Sequence, residues 1–189
     1  MKANMVRFAL DRLGVFGPET EARILERCGD EVVGRIRSAT RVEWIPATDQ
    51  VALNDAIRAE VSREAYLEFW GETGLLAARD SIFSQVAQGA MRLFGVSPSS
   101  LYKILPRANK HVTRDVGEYQ IDVDPDGRFV VVTFHSIAPE LLKTDSWFLS
   151  ASVTIKTPLL LLGRDGRVEV DEENYEEGRF RWIVSWDDA

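Results

Sequence analysis

The sequence predicts an α+β fold: a helical half, residues 1–114, packed on a half formed by residues 115–189, with a four-stranded antiparallel sheet built as hairpin, helix and hairpin. Three observations carry this. Gly117 to Asp124 alternates Tyr119, Ile121 and Val123 with Glu118, Gln120 and Asp122, the period of two of a strand with one buried face. Arg179 to Trp186 repeats the alternation, with Phe180, Trp182, Val184 and Trp186 on one side. Upstream, apolar residues recur at helical spacing, and no linker, repeat or low-complexity tract separates the halves, so residues 1–189 are expected to form one domain.

The first helix is expected over Val6 to Leu13, closed by Gly14. A second begins at Pro18, with Glu19 and Glu21 at its positive end, and runs to Gly29; a short third covers Glu31 to Arg37. Val42 to Pro46 reads as an extended link, because the residue before proline is steered away from helix. Thr48 can cap a helix through Val61 that points Val51, Ile57 and Val61 inward and Asp49, Asp55 and Arg58 outward. Ser62 can cap the next, which carries Ala65, Phe69 and Trp70 and should weaken near Gly71 or Gly74. From Leu75 the longest helical pattern runs over Ile82, Phe83, Val86, Ala90, Met91, Leu93 and Phe94 to Gly95. Ser97-Pro98 opens a last helix to about Leu105, where Pro106 ends or kinks it.

In the second half, Pro125-Asp126-Gly127 turns the first strand into Arg128 to His135, apolar on both sides and therefore expected to be central and covered on both faces. A helix from Asp145 or Ser146 should break at Pro158. Arg167 to Val170 then pairs with Arg179 to Trp186.

Composition excludes several classes of function. At 45% hydrophobic and 28% charged the chain is globular, and its net charge of -7 argues against nucleic-acid and anionic-membrane partners. The longest aliphatic run, Leu159 to Leu162, is far too short to span a membrane, and the first residues lack the apolar core of a signal peptide. A single cysteine, Cys28, fits a reducing compartment, so a cytoplasmic protein is expected.

Candidate groups for chemistry are few. There is no Gly-rich phosphate loop, paired-His metal spacing, Cys-x-x-Cys or nucleophile turn, and no metal ligands are assigned. His111 and His135 have no acidic or Cys neighbour to complete a ligand set. Asp171, Glu172, Glu173, Glu176 and Glu177 read as a solvated turn between strands. Arg107, Lys110, His111 and Arg114 gather positive charge at a helix end; they can serve as caps or form an anion-binding site.

This order of elements resembles the ligand-binding superfamily that includes heme-nitric-oxide/oxygen-binding (H-NOX) domains and 4-vinyl-reductase-like domains. It is also similar to a bacterial paralogous family of comparable length. The likeness covers most of the chain and is specific at Phe134-His135-Ser136-Ile137-Ala138, followed by Trp147-Phe148. There the H-NOX family has a Tyr-x-Ser-x-Arg motif that grips the porphyrin propionates, and only Ser136 matches it. His111 stands at about the place of that family's proximal heme ligand, behind Pro106, which interrupts the helix that should present it. The resemblance implies an H-NOX-like fold with Ser136 and Trp147 near the ligand. With Ala138 in place of the pairing Arg, no heme and no other cofactor is expected. The reading is a non-catalytic cytoplasmic sensor or adaptor that holds a small apolar ligand or a partner protein. Its alternatives are an enzyme acting on a hydrophobic anionic substrate and a structural homodimer module.

Overall fold

The computed structural model describes residues 1–79, 97–171 and 178–187. The helical half contains α1 (Ala3–Asp11), a 3-10 turn (Leu13–Phe16), α2 (Pro18–Cys28), α3 (Asp30–Ser38), α4 (Ala47–Glu60), α5 (Arg63–Arg79) and α6 (Pro98–Asn109). The second half contains β1 (Glu118–Val123), β2 (Phe129–His135), a 3-10 turn (Pro139–Leu142), α7 (Ser146–Thr154), α8 (Thr157–Leu161), β3 (Arg167–Asp171) and β4 (Phe180–Ser185). The expected pattern over Ile82 to Phe94, and the acidic residues from Glu172 to Glu177, lie outside the described residues.

Local chemistry sets most of the boundaries. Pro18 opens α2, whose first turn carries Glu19 and Glu21. The Ser62 hydroxyl accepts the Ala65 N–H at 3.2 Å, and Ser97 accepts Ser100 N–H at 3.3 Å, each supplying one of the acceptors a helix start lacks. The break expected at Pro158 falls just before it, at Ile155 and Lys156, and Pro158 sits in the first turn of α8, where its missing donor is tolerated.

Four expectations are corrected. The α4 helix starts at Ala47, so Thr48 is not its cap; Pro46, held extended, occupies that place. Asp49 and Asp55 do not face outward: Asp49 is buried, fixed by two hydrogen bonds from the Arg35 guanidinium, and Asp55 accepts the Ser146 hydroxyl. The α5 helix continues through Gly71 and Gly74, and at Gly74 the missing side chain serves close packing on α7. A Cβ on Gly74 would lie 2.9 Å from Thr154 Cγ2. Finally, α6 runs past Pro106 to Asn109. A proline so near the helix end removes only the donor that would reach the Tyr102 carbonyl.

The sheet order is β1-β2-β4-β3, all antiparallel, so β2 is central as expected. Among the described residues only one of its faces is fully covered: Val130, Val132 and Phe134 are buried, whereas on the other face Phe129 is 37% exposed and Val131 and Thr133 are half-buried. The buried face continues into Phe180, Trp182 and Val184 of β4, through pairs such as Val132 with Trp182.

Two apolar clusters result. One joins α1 to α5, with Leu10, Ile24, Ile36, Leu53, Ile57 and Phe69 among its members, and the other lies under the sheet. The α7 helix belongs to both: Leu149 completes the first, while Trp147, Phe148 and Ala151 complete the second. Six consecutive residues, Ser146 to Ala151, are buried, which marks a helix enclosed on all sides.

Candidate functional site

The six residues singled out in the sequence do not gather into one site. Only Trp147 is buried; its ring lies 5.3 Å from that of Phe134 and 5.8 Å from Phe180. Arg107, Lys110, His111 and Arg114 are exposed on and just beyond α6. Arg114 lies over the Trp44 ring at 4.0 Å, and Lys2 lies over that same ring at 4.4 Å, an arrangement that ties the 42–46 link to the start of the chain. Ser136 is exposed in the left-handed region (φ 53°), with its hydroxyl 3.1 Å from His135 Nδ1. A shallow groove of about 290 Å³ beside Trp44 is lined by Arg35, Glu43 and Pro46. Its one cation, Arg35, is already engaged by Asp49 and Glu31, so little charge is left for a ligand.

The two sides of α7 differ chemically. Toward the sheet, rings pack in series: Tyr119 on Phe134 at 4.5 Å, Phe148 on Phe180 at 4.4 Å and Phe148 on Trp182 at 5.7 Å. Two polar tips on this side are satisfied. The Trp182 indole donates to Ser152 Oγ at 3.0 Å, and the Tyr102 hydroxyl donates to the Ile155 carbonyl at 2.8 Å.

Toward the helical half, α7 presents hydroxyls instead. Tyr66 donates to the Ser146 carbonyl at 2.6 Å, Ser146 Oγ donates to Asp55, and Asn54 Nδ2 donates to Ser150 Oγ at 3.1 Å. The side chains of Ser150 and Trp70 border the Tyr66 hydroxyl, whose pKa is pushed far above the usual phenol range, chiefly by burial. Two atoms in this layer have no hydrogen-bond partner among the described residues, Asn54 Oδ1 and Trp70 Nε1, although Asn54 is fully buried and Trp70 is 5% exposed. A buried polar atom left unpaired costs about 1–3 kcal/mol, so this acceptor and this donor are the exceptions in an otherwise paired layer. Sequence reading missed Asn54 and Tyr66, because both sit at ordinary helical core positions. Asn54 did carry a signal, as an amide on the inward stripe of α4 beside Val51 and Ile57.

No protein-family model and no curated protein matches the chain. Solved structures do match. The Fe(II) unliganded H-NOX protein from K. algicida superposes with a TM-score of 0.70 at 10% identity, covering 100% of this chain and 98% of that one. A mutant H-NOX protein from S. oneidensis in the Fe(II) ligation state gives 0.66 at 10% identity, with 100% and 97% coverage. A Cs H-NOX mutant gives 0.67 at 14% identity, again with 100% and 97% coverage. The fold is therefore H-NOX-like over its whole length.

Among the described residues, the positions that the H-NOX resemblance sets against heme do not carry the groups that would hold it. Ala138 offers a methyl group where propionate pairing needs a guanidinium, and Phe134 has no hydroxyl and is packed between Tyr119 and Trp147. His111 is exposed in the turn after α6, its backbone N–H bonded to the Ala108 carbonyl, not on a helix facing the interior. Among the described residues no group of three His, Cys, Asp or Glu side chains is placed to hold a metal ion, and no helix is long and apolar enough to cross a membrane.

Proposed function

We propose that this protein is a non-catalytic cytoplasmic sensor or adaptor of H-NOX-like fold, which holds one small, mostly apolar ligand between its helical half and α7, without heme. The observation that carries the reading is the unpaired couple Asn54 Oδ1 and Trp70 Nε1 in a layer otherwise made of rings and aliphatic groups. An amide oxygen accepts and an indole N–H donates, so a ligand hydroxyl or N–H would pair with Asn54 Oδ1 and a ligand acceptor with Trp70 Nε1. Ligand sites combine apolar walls with a few such polar groups. The ligand class is therefore a mostly apolar molecule that carries a small polar group.

The absence of catalysis is supported by what surrounds the candidate nucleophiles. The Cys28 thiol is pushed up to about 11, first by burial and then by the nearby Asp49 charge, so it stays protonated at neutral pH. The Ser146 and Ser150 hydroxyls are committed to Asp55 and to the Trp147 carbonyl.

The test is native mass spectrometry of the protein as purified, beside its absorption spectrum. The expected result is a bound organic mass that is lost in an Asn54→Leu, Trp70→Phe double variant, with no Soret band. Bare protein mass, or a saturable hemin complex abolished by His111→Ala, overturns the reading.

A further inference from the structure

We infer that the outward face of α6 is a docking surface for a short acidic segment of a partner protein. This rests on the adaptor reading above, but on different residues. From Ser81 through Arg114 the sequence contains no Asp or Glu, in a chain that holds 30 of them, and the run is bounded by Asp80 and Asp115.

Within it, α6 separates its residues by face. Pro98, Leu101 and Tyr102 are buried, while Ser100, Lys103, Ile104 and Arg107 turn outward, and Lys110 and His111 extend the same face past the helix end. Lys103, Arg107 and Lys110 make no ion pair among the described residues. Arg12, Arg23, Arg27 and Arg35, on the helices before it, are each held by a carboxylate. Ile104, an aliphatic side chain 50% exposed, sits in the middle of the cations.

The size of the patch selects the partner. Lys103 to Lys110 covers about 10 Å along the helix at 1.5 Å per residue. That matches a few acidic residues with one apolar side chain seated on Ile104. A nucleic acid or an anionic membrane would extend its charge well beyond the patch, over a surface that is net acidic.

The probe is a labelled peptide of alternating Glu and Leu, read by fluorescence anisotropy against a Gln-for-Glu control peptide, phosphatidylserine vesicles and single-stranded DNA. Wild-type protein should bind the acidic peptide, more weakly as salt rises, and the triple variant Lys103→Glu, Arg107→Glu, Lys110→Glu should lose roughly tenfold or more in affinity. Reversal of two other exposed arginines, Arg37→Glu with Arg41→Glu, should leave binding within about twofold, the additive effect of distant charges being screened. If the triple reversal does not fold by circular dichroism, the Gln replacements at the same positions take its place. Equal binding by wild type and variant, no preference over the Gln peptide, or tighter binding to vesicles or DNA overturns the inference. Asn54→Leu should leave peptide binding unchanged, so loss of the ligand reading and loss of this one are separate results.

Discussion

The two sides of α7 are both buried, yet they are built differently. Toward the sheet the helix meets a series of packed rings, in which the Trp182 indole and the Tyr102 phenol each find an acceptor. Toward the helical half it meets Tyr66, Asn54 and Trp70, with a donor and an acceptor left over. The contrast teaches that burial alone does not separate structure from function here; polar satisfaction does.

The largest break in this comparison is Trp182→Ala. It empties the sheet side and removes the donor to Ser152, and should cost about 3–5 kcal/mol in chemical denaturation, with one transition retained. A loss below about 1 kcal/mol, or two separated transitions, would show that the sheet side is not the tightly packed one.

Alkali should act on both sides together. Burial raises the Tyr66 and Tyr102 pKa values, so the folded state favours their neutral form. That stability is fully present below the unfolded tyrosine pKa, near 10, and is lost as pH rises toward the raised folded values, at up to about 1.4 kcal/mol per tyrosine per pH unit. Phenolate absorbance and loss of circular dichroism should therefore appear as one event. Phenolate formed by these residues in a still-folded protein contradicts it.

Gly74→Val forces a branched side chain against Thr154 and should cost about 1–3 kcal/mol, partly restored by Thr154→Ala in the same chain. Absence of that coupling removes close packing as the reason for the glycine. The smallest effect sharpens the contrast: Asn54→Leu gives up one hydrogen bond to Ser150 but also removes an unpaired acceptor, so stability should change by less than about 1 kcal/mol. A loss comparable to that of Trp182→Ala would mean the polar side is as complete as the sheet side.

The strands were legible because their alternation is local: Tyr119, Ile121 and Val123, and Phe180, Trp182 and Val184, mark faces without reference to anything else. What failed depended on a partner distant in sequence. Gly71 and Gly74 look like a helix break until Val153 and Thr154 are known to lie against them. Asp49 looks like a solvent residue until Arg35 reaches it. Phe129 and Val131 suggested a second cover for the sheet, but apolar content does not say whether an element is present to provide it. The site divided in the same way. The exposed cations of α6 were found from charge spacing, whereas Asn54 and Trp70 matter only through the bonds they fail to make.

The place of α7 in the chain has a consequence for synthesis. Residues 3–79 leave the ribosome before residues 146–154, and until those have followed, their core lacks Leu149 and the side-chain anchors of Tyr66 and Asn54. Those contacts close over 80 and 96 positions of sequence, so making them carries a loop-closure cost in chain entropy. The nascent helical half therefore waits, with part of its apolar surface open to the cell, for a helix that follows it much later in the sequence.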